Sequence, residues 1–130
     1  MPICTKLFKL KFFPWTGFQS GSLGWDDEDD DNRDSISGDL PDGSYSRNTV
    51  IEYCCRSDGA ATTPIALPNR KPFYLFRYTS SCQAVKDLRV TEEVFTWDDE
   101  DDNNRDSKSG DHPYDDGGSR NHRLHYCYYY

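Results

Sequence analysis

Two acidic segments of the sequence carry oxygen-bearing side chains at every second position, a spacing that can place several oxygens around one cation. These residues are Asp30, Asn32, Asp34, Asp102, Asn104 and Asp106. An EF-hand loop needs Gly at its sixth position and Glu at its twelfth, and the first segment has Ser35 and Pro41 there. We therefore expect a site for Ca²⁺ or another divalent cation that is not an EF-hand. The alternative is a solvated acidic loop neutralised by neighbouring arginines.

The two acidic segments are copies of one longer sequence. Residues 25–41 and 97–113 align without gaps over 17 positions, of which 14 are identical. The copies keep a tryptophan, a glycine and a proline as well as the acids, which indicates a loop of fixed shape. Each copy continues into a strand-like stretch that ends in Tyr-Cys, at Tyr53-Cys54 and Tyr126-Cys127. The sequence therefore predicts an internally duplicated unit of acidic loop and strand.

The negative charge of the chain is confined to these segments. The whole chain has a net charge of −8. Residues 25–34 contribute −6 and residues 97–106 contribute −5, so the remainder is mildly basic at +3. Such acidic sites repel nucleic acid and attract cations or basic partners. No stretch is long and apolar enough to predict a membrane span, so neither nucleic acid nor a bilayer is an expected partner.

Short alternating stretches predict an all-β domain. The expected strands are residues 8–12, 49–56, 72–80, 88–97 and 122–130, with one helical turn within 82–87. No long stretch has helical periodicity, so we expect a sandwich or barrel-like fold.

The five cysteines predict a disulfide framework, because no Cys-x-x-Cys spacing is present and a small core gains from cross-links. Repeat equivalence suggests a bond between Cys54 and Cys127, which leaves Cys55 to pair with Cys82 and Cys4 free. Other connectivities remain open. Disulfides place the domain outside the cell, although the opening residues do not form a good signal peptide. We expect either a start further upstream or the loss of a secretion signal.

The aromatic residues suggest a binding surface. We take Trp25, Trp97 and Tyr128 as candidate ligand-binding residues, because aromatic faces stack on sugar rings. The alternative is that the tryptophans anchor the acidic loops and that the C-terminal tyrosines belong to a buried strand. The three histidines of the chain are expected to be packed or exposed instead of binding zinc. No catalytic motif is present, so we do not expect an enzyme.

Several stretches together resemble the apextrin C-terminal domain, ApeC. They are "GFQSGSLGWDDEDDDN", "LPDGSYSRNTVIEYCCRSDG", "PIALP", "PFYLFRYTSSCQAV" and "WDDEDDNNRDSKSGDHPYDDGG", with the closing "NHRLHYCYY". The resemblance covers residues 17–130, whereas residues 1–16 match poorly. It implies a secreted invertebrate module of innate immunity that recognises bacterial cell-wall peptidoglycan or muramyl peptides.

Two other functions fit the residues. A calcium-binding protein of an extracellular or skeletal matrix would use the acidic segments directly. An adhesion module would bind a basic partner protein through them.

Overall fold

Eight β-strands make up the regular structure of the described residues, and all the pairs between these strands are antiparallel. The computed structural model describes residues 1–6, 16–27, 30, 35–38, 41–98, 102–118 and 121–130. The strands are β1 (Ile3–Lys6), β2 (Gln19–Trp25), β3 (Gly43–Tyr45), β4 (Thr49–Arg56), β5 (Phe73–Arg77), β6 (Val90–Asp98), β7 (Ser107–Gly110) and β8 (Asn121–Tyr129). The described residues include no helix, and therefore none long and apolar enough to cross a membrane.

The strands form one sheet in the order β6-β8-β5-β1-β4-β2-β7, and β3 pairs with β4. The sheet is open but curls so that residues of β2 contact residues of β6 and β8 across its concave side. Trp25 of β2 and Trp97 of β6 have ring centroids 5.1 Å apart, and His122 of β8 contacts the backbone of Gly24 in β2. The result is a sandwich-like all-β domain, as the alternating pattern predicted.

The concave side of the curled sheet holds the main core. Alternate residues of several strands face inward, as a sheet with one buried side requires. The buried members are Cys4, Leu23, Trp25, Ile51, Tyr53, Cys55, Phe76 and Leu124. Five of the eight come from β2 and β4, so the pairing of these two strands supplies much of the apolar interior.

A second, smaller core covers the other face of β8. Cys127 and Tyr129 pack there against Val85 and the partly buried Ile65 and Leu88. The hydroxyl of Tyr129 donates to the carbonyl of Gln83 at 2.7 Å. This hydrogen bond holds the segment between β5 and β6 against the sheet. Near its C-terminal end, strand β8 is therefore buried on this face, whereas Tyr126 and Tyr128 on its other face are only half-buried.

The observed strands confirm most of the predicted ones, including those in 49–56, 72–80, 88–97 and 122–130. The helical turn predicted in 82–87 is wrong. Val85 instead forms a bridge to Ile65, and Asp87 turns the chain with a φ of 63°. The predicted strand 8–12 lies outside the described residues.

The disulfide pairing predicted from repeat equivalence is wrong. The bonds join Cys4 to Cys55 and Cys82 to Cys127, and Cys54 is the free thiol. The physical reason is that β1 lies between β4 and β5, so Cys4 faces Cys55 directly in the strand register. Strands β1 and β5 together separate β4 from β8, which keeps Cys54 away from Cys127.

Strand β7 can pair with β2 only because Gly21 has no side chain. A Cβ at residue 21 would meet the backbone carbonyl oxygens of Ser109 and Asp111, and backbone atoms cannot rotate away. We expect Gly21→Ala to lower the free energy of unfolding by about 1–3 kcal/mol, measured by urea denaturation.

The matched control for this substitution is Gly118→Ala, because a Cβ at residue 118 would meet no atom within 4 Å. Its effect should stay within about 0.5 kcal/mol. Equal losses of unfolding free energy in the two variants would contradict the close contact of β7 with β2 at residue 21.

Candidate functional site

The acidic segments meet each other where they join the sheet. The backbone N–H of Asp26 donates to Oδ1 of Asp106 at 2.8 Å, and the backbone N–H of Arg105 donates to Oδ2 of Asp26 at 2.6 Å. Beside this joint, the hydroxyl of Thr49 donates to Asp27 at 2.8 Å. Asp26 is buried, so its carboxylate serves as an internal hydrogen-bond acceptor. These bonds fix the entry of the first segment against the exit of the second.

A buried histidine lies directly beneath the joint. Nε2 of His122 donates to the carbonyl of Gly24 at 2.9 Å, and Nδ1 donates to Asp115 at 2.5 Å. Because both acceptors are oxygens without a proton, both ring nitrogens carry hydrogen and the imidazole is positively charged. Asp115 also accepts hydrogen bonds from Lys108 at 2.8 Å and from two backbone N–H groups. Its carboxylate is therefore fully engaged.

The surroundings shift both members of this pair toward their charged forms. Burial acts to lower the pKa of His122, but the hydrogen bonds to Asp115 and Gly24 and the charges of Asp115 and Asp106 outweigh it. The pKa of His122 is therefore raised above its ordinary value of 6.5. Burial acts to raise the pKa of Asp115, yet hydrogen bonds from His122, Lys108 and backbone N–H groups bring it well below 3.8. The result is a buried ion pair.

The residues predicted to bind a cation are only partly brought together. Oδ1 of Asn104 accepts from the backbone N–H of Asp106 at 2.9 Å, while Asp30 and Asp102 are exposed. Asn32 and Asp34 lie outside the described residues. Within the described part of the chain, no group of three or more His, Cys, Asp or Glu side chains can hold a metal ion. Calcium binding stays a prediction.

The non-acidic residues repeated in the two segments have matching or connected roles. Gly38 and Gly110 both adopt a left-handed backbone, with φ values of 78° and 60°, which favours glycine. The two tryptophans contact each other, and Trp25 also packs edge-on against the ring of His122 at 5.1 Å. The tryptophans therefore connect β2 to β6 across the curled sheet, at the base of the acidic segments.

A groove of about 560 Å³ opens on the concave face of β5, β6 and β8. We call it the aromatic groove; its lining residues are Cys4, Thr5, Tyr74, Leu75, Phe76, Glu93, Val94, Phe95 and Tyr126. Tyr74 and Phe95 are exposed at its rim. Beyond Tyr74 lies Tyr128, with ring centroids 4.7 Å apart, and Tyr130 stacks on Tyr128 at 5.4 Å. Aromatic rings thus line and extend the groove.

The three predicted ligand-binding residues have different environments. Trp25 is only 3% exposed and belongs to the core, so its assignment to ligand binding is wrong. Trp97 is 37% exposed and contacts Phe95 with centroids 4.2 Å apart. Tyr128 extends the aromatic groove. Sequence reasoning missed Tyr74 and Phe95; the alternation in "PFYLFRY" and "EEVFTW" carried the signal, but it could not say which face stays open.

The histidines do not form a common site. His125 lies on the opposite face of β8 from His122, as two residues three apart on a strand must. Its ring nitrogens face Glu92 at 2.6 Å and Asp116 at 2.9 Å. The ring of Tyr114 packs edge-on against it at 5.2 Å. This arrangement is a packed polar cluster of the kind that the sequence led us to expect.

Comparison with known proteins identifies one related family. The sequence model of the family described as the C-terminal domain of apextrin, ApeC, matches residues 8–129. The match begins within the segment 1–16 that the resemblance left out. No curated protein and no solved structure matches significantly.

The buried ion pair predicts how stability depends on pH. His122 has a folded-state pKa above 6.5, so its contribution is complete below that pH and is lost as pH rises through the folded value. We expect the free energy of unfolding, measured in urea, to fall as the pH is raised above about 6.5. His122→Gln should lower it by about 3–5 kcal/mol at about pH 6 and should flatten the pH dependence.

His112→Gln is the matched control, because the ring of His112 contacts only the neighbouring carbonyl of Pro113 among the bonds described. It should keep the wild-type pH dependence. A His122→Gln variant with the wild-type slope would show that this pair does not carry the effect.

Proposed function

This chain belongs to the ApeC family, and from that membership and the exposed aromatic groove we propose that it is an extracellular, non-enzymatic recognition module for bacterial cell-wall peptidoglycan or muramyl peptides. The match to the C-terminal domain of apextrin covers nearly the whole chain. Two disulfides fit an oxidising compartment. Binding experiments with peptidoglycan and muramyl dipeptide test the identity of the ligand.

The observation that carries the proposal is the aromatic groove. Its volume of about 560 Å³ lies in the range typical of small-molecule sites. Flat rings at Tyr74, Phe95 and Tyr126 offer faces on which the apolar side of a sugar ring can stack. Glu93 places one carboxylate among them, which can accept hydrogen bonds from sugar hydroxyls or peptide N–H groups.

The charge distribution favours one orientation for such a ligand. The acidic segments join the sheet near His122, and Tyr128 lies six residues further along β8, about 20 Å away at the usual rise of a strand. At the Tyr128 end, exposed Arg89 is held by two backbone hydrogen bonds to Tyr130, at 2.9 and 3.1 Å. Muramyl and peptide carboxylates would therefore lie toward Arg89 and away from the acidic segments.

Substitution of the exposed rim of the aromatic groove should weaken binding without unfolding the protein. We expect Tyr74→Ala and Phe95→Ala each to reduce affinity for insoluble peptidoglycan by about 5- to 30-fold, which corresponds to about 1–2 kcal/mol of lost contact. Sedimentation with purified peptidoglycan measures the change, and soluble muramyl dipeptide should compete. Arg89→Ala should weaken binding more at low salt than at high salt.

Ile36→Ala is the matched control, because Ile36 is also exposed and apolar but does not line the aromatic groove. It should bind as the wild type does. Equal retention of the wild type, the Tyr74→Ala variant and the Phe95→Ala variant would reject the groove as the site. Failure of the wild type to sediment with peptidoglycan would reject the proposed ligand.

A second candidate function, calcium binding in an extracellular matrix or adhesion protein, is favoured by one observation. Oδ2 of Asp106 is buried and has no hydrogen-bond partner; its nearest cationic neighbour described is Nε2 of His122 at 3.7 Å. An unsatisfied carboxylate oxygen at the joint of two acidic segments is a natural ligand for a hard cation. The same oxygen also stabilises the charge of His122, so the two roles compete.

Calorimetry with CaCl₂ separates the two functions. If calcium is the ligand, one or two tight sites should appear, the melting temperature should rise with calcium, and Asp106→Asn should remove the tightest site. Many weak sites that disappear at high salt would instead indicate diffuse binding to the acidic segments. Peptidoglycan binding that persists in EDTA would leave the aromatic groove as the functional site.

A further inference from the structure

Strand β6 is the last strand at one end of the sheet and is unusually open. It pairs with β8, and no other strand of the described residues lies beside its outer edge. Every residue from Val90 to Trp97 is exposed. Val94 and Phe95 are 45% and 46% exposed. A nine-residue edge with apolar side chains on both faces is the type of strand that pairs with another chain.

The opposite end of the sheet is formed by the short, exposed strand β7, which lies beside β2. Strand β7 pairs with residues 21–24 of β2, which directly precede Trp25. Residues 93–96 of β6 hold the same place before Trp97, although the sequence repeat itself begins at the two tryptophans. The repeat equivalent of β7 is residues 35–38. These residues form no strand; Ile36 is 61% exposed and lies at a small pocket with Tyr45 and Thr49. Among the residues that the structure describes, β7 therefore lies beside β2, whereas no strand lies on the outer side of β6.

We propose that β6 binds β6 of a second copy of this chain, antiparallel, around a twofold axis at Val94. This register places Val94 opposite Val94 of the second copy, Glu93 opposite Phe95, and Glu92 opposite Thr96. Each pair lies on a common face of a sheet that continues through both copies. Two exposed valines are thereby covered at the centre of the contact.

Repulsion between facing carboxylates favours this register over the adjacent registers of the same strand pair. If the twofold axis passed through Glu92 or Glu93, that residue would face its own copy in the second chain. If the axis passed through Phe95, Glu92 would face Asp98 of the second chain. Like charges in facing positions destabilise a strand pair. Of these four adjacent registers, the one centred on Val94 alone keeps every acidic side chain of β6 opposite an uncharged residue.

The antiparallel arrangement also separates the two most acidic parts of the contact. Residues 97–106 begin at the C-terminal end of β6, so pairing places the two copies of this segment at opposite ends. The net charge of −8 on each chain still opposes association over longer distances. Added salt should therefore strengthen the dimer, since the screening length is about 30 Å at 0.01 M and about 8 Å at 0.15 M.

Cysteine cross-linking of the full chain tests the register. In a Cys54→Ser background, Val94→Cys should form a covalent dimer under mild oxidation, because the two residues 94 face each other. Thr91→Cys is the matched control; it lies on the same strand and is also exposed, but it faces Trp97 of the second copy and should not cross-link. Light scattering of the wild type after gel filtration should show a dimer that strengthens at about 0.15 M salt, and Val94→Lys should make it monomeric.

Three results would overturn the proposal. The first is a wild type that is monomeric at every concentration and salt level up to about millimolar protein. The second is equal cross-linking of the residue-94 and residue-91 variants. The third is an intramolecular cross-link between Ile36→Cys and Phe95→Cys in one chain, which would mean that residues 35–38 of the same molecule cover the edge. None of these measurements depends on peptidoglycan, so the proposal and the proposed ligand fail separately.

Discussion

The buried contact of His122 with Asp115 and the carbonyl of Gly24 is the interaction on which the rest of the molecule depends. It joins β8 to β2, two strands separated by three others in the sheet. Without it, the buried Asp115 would keep Lys108 and two backbone N–H groups but would lose its hydrogen bond to the charged imidazole, which is costly in a low-dielectric interior. The curl of the sheet, the contact of the two tryptophans and the joint between the acidic segments all follow from this closure.

Closure also divides the surface into two chemically different regions. The acidic segments enter and leave the sheet around Asp26 and Asp106, beside His122. The aromatic groove extends along the concave face toward Tyr128, at the other end of β8. Strand β8 therefore has a buried, charged histidine near its start and aromatic rings near its end. This separation lets a strongly acidic chain offer a largely uncharged groove.

Part of this structure could be predicted from the sequence, and the failures have physical causes. The alternation in β4, β5, β6 and β8 located those strands, because a half-buried strand requires it. The disulfides could not be derived, since they depend on the insertion of β1 between β4 and β5, a long-range pairing with no local signal. The sequence shows a histidine at position 122, but its burial and its positive charge depend on the contact between β2 and β8, which the sequence does not reveal. The aromatic groove was missed for the same reason: alternation marks two faces of a strand without saying which one the fold leaves open.

The free thiol at residue 54 has a consequence for how the chain reaches this structure. Neighbouring side chains on a strand point to opposite sides, so Cys55 faces the core and Cys54 faces away. If Cys4 were oxidised onto Cys54 instead, β4 would shift by one residue relative to β1, and Tyr53 would exchange sides with its neighbours. The correct isomer is thus selected by burial of the flanking side chains. Burial and the charge of Glu52 raise the pKa of the Cys54 thiol, which disfavours the thiolate that would attack a finished disulfide.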